Sequence, residues 1–408
     1  MTTAAQPIHP VVARRLKRRQ RERYLALGAV VLIIIVYMLG GLRVEADRMP
    51  AVRQAWPAAD HLSKQAPGVY EAWADSAEET LLGYVVIGTA DGYGGPLELA
   101  VAVDTEGVIT DYNIVAYKET PTWMTRILNS RLPDSLVGKS YDDPFELGND
   151  IDVVTGATYT SRAMAEAALY GSQDAARLLG FTVPEAPPPQ IEFGIPEIVL
   201  LGLFAVGFVG HRREFRFKKQ ARWGSMIVGM MVLGFIYNLP LTLAYFVKAI
   251  LGYWPQWQTN LYWYFLFFGI LIVAIIDKKN PYCSWFCPFG ASQECLGAVG
   301  GAKVRTPRKH RNWLIWAQRI LALAAILLGV YFRSPGLSSY ELFGTLFSFV
   351  GTSIQFVALA LVLLASLYLK RPWCGFLCPL HPVVEFFHLM REWVKELWRK
   401  VNPAKKTA

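Results

Sequence analysis

Six apolar runs, bounded by basic residues, limit what this chain can fold into more than any other feature. They lie at Tyr24–Leu42 and at about residues 194–210, 223–243, 260–276, 313–332 and 348–369. Each approaches the roughly 20 residues that cross a hydrocarbon core. No water is available there, so every backbone N–H and C=O needs a partner within its own segment, which selects helices. A composition of 53% hydrophobic residues over 408 positions is high for a soluble protein. The net charge of +9 is distributed with the runs: 28 of 41 Lys and Arg fall in residues 1–23, 211–222, 277–312 and 370–408. Those stretches flank apolar segments, as the positive-inside bias requires, so the charge is topogenic and argues against nucleic acid as a partner. The first run follows a basic tail (Arg14, Arg15, Lys17, Arg18, Arg19, Arg21, Arg23). It exceeds the length of a signal-peptide core and no small-residue cleavage site follows, so an uncleaved anchor with a cytoplasmic N-terminus is expected.

Six crossings from that start return the C-terminus to the cytoplasm and leave residues 44–190 outside. This segment has soluble character. Leu81–Thr89 and Leu97–Val103 alternate as strands, Asp104-Thr105-Glu106-Gly107 reads as a turn into Val108–Tyr117, and Ala163–Leu179 reads as a helix. Pro184-Glu-Ala-Pro-Pro-Pro189 closes the domain as a stiff linker. The expected plan is a polytopic α-helical membrane protein of six transmembrane helices with an inserted extracytoplasmic α+β domain. Its parts are a tail and anchor (1–43), the outer domain (44–190), a five-helix membrane domain (191–382) and a basic tail (383–408). Val383–Lys400, with Trp393 and Trp398, reads either as an amphipathic helix on the inner leaflet or as a positive stop signal. The segment 241–259, containing Lys248, Trp254 and Trp257, and the loop Ser334–Phe347 are expected as outer interfacial connections.

Two cysteine runs carry the chemistry: Cys283-Ser-Trp-Phe-Cys287-Pro288 and Cys374-Gly-Phe-Leu-Cys378-Pro379. Each begins shortly after an apolar run, behind Lys278, Lys279 and Pro281 or Lys370, Arg371 and Pro372. Cysteines at i and i+4 face one direction, so two pairs at matching depth can converge on one inorganic centre. Proline after the second cysteine stops extension, as in ferredoxin-type ligand runs. Cys283, Cys287, Cys374 and Cys378 are therefore the candidate metal ligands. Zinc suits four thiolates as well as iron–sulfur does; a position at an electron-transfer membrane face favours iron–sulfur. The fifth cysteine, Cys295, reads as a bystander. No cysteine lies in the outer domain, so no disulfide framework is implied there.

A second constellation is Asp152-Val-Val-Thr155-Gly156-Ala157-Thr158-Tyr159-Thr160-Ser161. It reads as a strand end, a glycine turn and a helix N-terminus, where free N–H groups and the helix dipole welcome a phosphate. Capping by Thr158 or Thr160 is the plainer reading of the same spacing. Thr155-Gly-Ala-Thr158 after Asp152 resembles the flavin-attachment motif of the FMN-binding domain in sodium-pumping quinone reductase and Rnf subunits. Gly92-Tyr93-Gly94-Gly95-Pro96-Leu97 and Lys118-Glu119-Thr120-Pro121 fit the same domain. The resemblance implies FMN joined through its phosphate to Thr158 by a flavin transferase, with Thr155, Gly156, Ala157, Asp152, Glu119, Thr120, Gly94 and Gly95 around it. Thr122-Trp123 stand where that family usually has glycine.

The whole plan resembles NosR-type and PceC-type membrane flavoproteins. It departs from the NosR type in lacking a Cys-rich tail after the second motif, and is nearer the PceC type in length. The resemblance implies a multi-pass protein of a bacterial inner membrane. Electrons would pass from the quinone pool or a cytoplasmic donor, by way of a cytoplasmic-face iron–sulfur centre and covalent FMN, to an extracytoplasmic respiratory reductase. A redox-sensing regulator or maturation factor for such a reductase is the alternative, and a zinc-stabilised scaffold a third. Whether the chain is itself an enzyme, a quinol dehydrogenase for example, stays open, as does homo-oligomerisation. No histidine lies in mid-span, which argues against a bis-histidine haem, and no acid lies deep in a span, which argues against an ion pump. Trp123, Trp285 and Trp373 are candidates to line an electron route. The two centres are expected on opposite sides of a core about 30 Å thick.

Overall fold

Strand alternation in the outer segment sorts side chains onto two faces, and both faces are covered. The computed structural model describes residues 10–43, 47–185, 189–276, 280–302 and 311–401, without side chains at 10–16, 211 and 399–401. Lys278, Lys279 and linker residues 186–188 lie outside the described residues. Five strands, β1 (His61–Ala66), β2 (Val69–Trp73), β3 (Leu81–Asp91), β4 (Pro96–Asp104) and β5 (Ile109–Ala116), form an antiparallel meander in chain order. In β4, Leu97, Leu99, Val101 and Val103 face the helix Thr158–Leu178, while Ala100 and Ala102 face the short helix Met49–Ala55 and Trp56. The long helix lies unusually close to the sheet. A Cβ at Gly88 would meet the Ala167 carbonyl oxygen at 1.9 Å, so only glycine admits that approach. The expected strands and their turn agree with β3, β4 and β5 to within a few residues. The strands β1 and β2 carry little alternation and lie outside the runs that read as strands.

The helix Thr158–Leu178 begins five residues earlier than expected. Ala157 stands at its cap, and no side chain caps it. Neither Thr158 nor Thr160 therefore plays the capping role open to it.

The remainder is helical. Lys17–Gly41 and Arg311–Tyr331 are long and apolar enough to cross a membrane, whereas Ile195–Gly210, Leu261–Ile276 and Ser353–Tyr368 are apolar but shorter. The third expected crossing, at 223–243, changes helix type partway. An α-helix Lys218–Val228 passes into π-helical turns Gly229–Ile236 and stops before Asn238-Leu-Pro240. Proline cannot continue a helix, and it disfavours the helical region at the residue before it. The chain then re-enters the protein as Leu243–Leu251, whose Lys248 is buried rather than interfacial. The last helix, Leu380–Val401, also packs inward: Arg319 pairs with Glu385 at 3.1 Å and Arg391 donates to the Ile276 carbonyl. Arg23 and Arg19 of the first helix pair with Glu396 and Glu392 of the last, so the two basic ends lie together.

Candidate functional site

The sheet domain is docked onto the helical part by buried polar contacts. Lys248 Nζ donates to the carbonyls of Gly92 (2.8 Å) and Tyr93 (3.0 Å) in the β3–β4 turn. Tyr93 shares a 2.9 Å hydroxyl contact with Thr242, Arg126 donates to the Ser348 carbonyl at 2.9 Å, and the Gly336 N–H donates to the Lys118 carbonyl at 3.2 Å. Between the two parts lies a cavity of about 540 Å³. One wall carries Glu119, Thr120, Trp123 and Gly156–Thr160; the other carries Glu197, Tyr237–Pro240, Ser339, Glu341, Phe343–Thr345 and Gln355.

Of the residues singled out from sequence, Thr158, Gly156, Ala157, Glu119 and Thr120 line this cavity. Asp152 and Thr155 do not; both are exposed on the approach to it. Gly94 acts one step back, since its N–H donates to Glu119 Oε1 at 3.2 Å, while Gly95 lies against Tyr253 and Lys118. Gly156 has φ of +82°, and a Cβ there would press on the Trp123 ring at 2.9 Å. Trp123, at the departure from the usual motif, thus packs across the glycine turn. Burial pushes the Glu119 carboxyl up, while the Gly94 N–H and the charge of Lys248 pull it back. Burial takes Lys248 down to about 8, with Glu119 opposing.

The helix start at Thr158 offers donors to an anion. With Ala157 at the cap, the first N–H groups of a 21-residue helix have no side-chain acceptor at the cavity edge, and Arg162 lines the cavity one turn on. An anion beside Thr158 would satisfy those donors and meet the positive end of the helix dipole.

The cysteine runs meet beneath this cavity. Burial raises all four thiols; Cys283 is raised further by Cys287 and Cys374, and Cys378 by Cys374, Cys283 and Cys287. Cys287 and Cys378 each precede a helix, Pro288–Val299 and Leu380–Val401, and the N–H groups of Phe289 and Gly290 face the Cys287 sulfur. Gln293 Nε2 reaches the Cys374 sulfur at 3.4 Å, and Gln318 holds the Cys374 and Cys378 carbonyls. Arg371 sits beside the group, bound to the Cys283 carbonyl and, at 2.8 Å, to Glu294. The buried donors Trp373 Nε1 and Asn280 Nδ2 have no acceptor among the described residues. Positive charge and spare donors around buried thiols fit an anionic, sulfur-held centre.

Among the described residues, no three His, Cys, Asp or Glu side chains are arranged around a single ion. Cys295 stands apart, next to Glu294, and His381 faces Glu385 at 3.8 Å. A second cavity of about 770 Å³ opens beyond the thiols, lined by Arg222, Arg311, Arg371 and His381 among others.

The two sites are closer than a bilayer's thickness. A Cβ on Gly229 would touch the Phe286 carbonyl, beside Cys287, and Tyr237 lines the upper cavity. The segment between them spans at most about 12 Å at helical rise. Along the helix Ile195–Arg212, Gly207 packs on Pro281 and Phe286 while Glu197 lines the cavity, which gives about 15 Å. Rings fill the gap: Phe343 of the cavity wall lies 5.2 Å from Phe289, which lies 5.7 Å from Trp373. The residues that sequence reasoning missed are Lys248, Glu341, Gln293 and Gln318. A lone charge within an apolar stretch was the available signal for the first two.

The sequence comparisons match this geometry. Residues 92–171 match the FMN-binding domain family, and residues 259–307 and 350–400 match a 4Fe-4S binding domain. The chain is 28% identical over 268 residues to protein NirI of Paracoccus denitrificans, covering 58% of this chain and 39% of NirI. It is 28% identical over 210 residues to the regulatory protein NosR of Pseudomonas aeruginosa, covering 47% of this chain and 29% of NosR. Over 91 residues it is 34% identical to a component of the proton-translocating ferredoxin:NAD(+) oxidoreductase complex of Clostridium ljungdahlii, covering 21% of this chain and 49% of that component. The chain thus spans well under half the length of NirI and of NosR. It carries an FMN-binding domain and a 4Fe-4S binding domain, and is similar to NirI and NosR over part of its length.

Proposed function

We propose that this protein is a membrane-embedded electron carrier that holds FMN through a phosphoester to Thr158 and a cluster through Cys283, Cys287, Cys374 and Cys378. FMN and an iron–sulfur cluster, when bound, supply reversible electron uptake; the chain supplies position. The carrying observation is the shared cavity, whose wall residue Glu197 lies about 15 Å along its helix from Gly207, which packs on Pro281 and Phe286 beside the first cysteine run. Thr120, Trp123 and the first turn at Thr158, with Phe343 and Gly344 across the cavity, are the residues that would hold the flavin. Exposed Asp152 and Thr155 present the motif to a flavin transferase. Electrons come from quinol or from a cytoplasmic donor approaching the basic second cavity, and leave to an extracytoplasmic reductase.

Six crossings with both ends in the cytoplasm remain the preferred arrangement. The ion pairs between the first and last helices support it, as do Tyr24, Val31, Ile34 and Met38, which are apolar and uncovered on the first helix. The second reading, a redox-sensing regulator, is favoured by the description of NosR as a regulatory protein. In that case the same centres would report their state through the helices.

Anaerobic purification with iron, sulfide, zinc and flavin quantified tests the proposal. Cys287→Ser should strip iron and leave flavin. A preparation with neither iron nor flavin in stoichiometric amount defeats it. Rapid reoxidation by a purified extracytoplasmic reductase separates carrier from regulator.

A further inference from the structure

The helical wall of the cavity contains a carboxyl that the electron-carrier reading leaves without a task. Glu341 is 7% exposed, and its Oε1 accepts the Leu243 N–H at 2.6 Å. The residue lines the cavity, and its Oε2 is buried with the Ser339 hydroxyl beside it and no other partner among the described residues. An unmet buried carboxylate oxygen is costly, so the group must be protonated, or bonded to whatever fills the space, for much of its working life. The titratable groups facing it are Tyr93 from the β3–β4 turn and Tyr340 from its own segment, with the Ser339 hydroxyl beside it. Lys248, on the helix that Glu341 caps, is turned away onto the Gly92 and Tyr93 carbonyls. Burial takes the Glu341 carboxyl up to about 7, against the pull of the Leu243 N–H. An acid so poised exchanges protons readily near neutral pH.

Its neighbours give it a second qualification. Tyr340 donates to the Leu377 carbonyl beside Cys378 at 3.0 Å, and the Phe343 ring lies tilted against Phe289. One short segment therefore touches the surroundings of the thiols with residues 340 and 343 and faces the upper cavity with residue 341.

We propose that Glu341 is the proton-exchange residue of this cavity, donating a proton to a bound isoalloxazine ring as electrons arrive and recovering it on reoxidation. The inference rests on the reading that FMN occupies the cavity. Two electrons, drawn singly from an iron–sulfur donor, are matched by one proton: the Glu341 O–H bond breaks, its electron pair stays on the carboxylate, and the proton is taken by a ring nitrogen. Loss of the two electrons to an acceptor returns the proton to Glu341.

The test uses the full-length flavin-loaded protein, with redox poise set by dithionite and ferricyanide. Reduced-minus-oxidised infrared difference spectra should show loss of a protonated carboxyl band near neutral pH. That band should be absent in Glu341→Gln and retained, shifted, in Glu341→Asp. The flavin midpoint potential should bend with pH near 7 in the wild type and run straight in Glu341→Gln, with ring reduction at least tenfold slower. A Glu341→Gln protein with full flavin content, an unchanged carboxyl band and the same bend overturns the inference. A wild type without flavin overturns the cavity reading instead.

Discussion

The cavity wall from the FMN-binding domain comes from two short stretches, Glu119–Trp123 and Gly156–Thr160, whereas the facing wall is gathered from Glu197, Tyr237–Pro240, Ser339–Thr345 and Gln355. The first wall is specified locally. A glycine turn at φ +82° delivers an uncapped helix start, and the chemistry follows from neighbours in sequence. The second wall is specified by packing, because a broken helix, a loop and a helix cap supply it from far apart. A motif can therefore announce a phosphate site, but not the groups that will meet the ring across from it.

The largest expected effect falls on the local wall. Thr158→Ala should abolish flavin that survives denaturation on a gel while leaving iron content unchanged; flavin persisting through denaturation would place the attachment elsewhere. Next comes Glu341 on the assembled wall. Its folded pKa of about 7 lies above the 4.5 of the free group, so its contribution to stability is complete below pH 4.5 and is lost as pH rises through 7. The loss is on the order of 3 kcal/mol. Detergent-solubilised wild type should melt at progressively lower temperature from pH 5 to 7.5, and Glu341→Gln should show a flatter profile; parallel profiles would remove Glu341 from the account.

Lys248→Met tests the joint between the walls. It leaves the Gly92 and Tyr93 carbonyls without their donor and Glu119 without its cation, so docking should weaken by about 2 kcal/mol. Limited proteolysis at the β3–β4 turn reports it, and unchanged cleavage would show that the turn holds itself. The smallest effect is Thr352→Ala. Thr352 and Gln355 form a capping box at the start of Ser353–Tyr368, and Gln355 also lines the cavity. About 1 kcal/mol should be lost, read as a small drop in melting temperature.

Much of the FMN-binding domain was legible. Large apolar residues at alternate positions of β4 must turn to one side of a pleated strand, so Leu97–Val103 could be read directly. The strands β1 and β2, with sequences such as His61-Leu-Ser-Lys-Gln-Ala66, offer no such alternation and form because β3 presents an edge to pair with. The four thiols were legible as a set from their spacing. Their second layer was not, since Gln293 and Gln318 are ordinary helix residues until folding aims them at Cys374 and Cys378. The helix expected over 223–243 instead runs from Lys218 to Ile236, because hydropathy sums over a window and does not register the stop imposed by Asn238-Leu-Pro240.

Sequence by itself determined the proposed sites of bonding. A hydroxyl at a helix start and thiols ahead of prolines carry their chemistry in adjacent atoms, and folding only has to expose or bury them. Tertiary structure alone decided the distances and proton affinities, because burial and the approach of remote groups set both. Lys248, Glu119 and Glu341 have ordinary side chains whose charge is governed by what the rest of the fold packs around them.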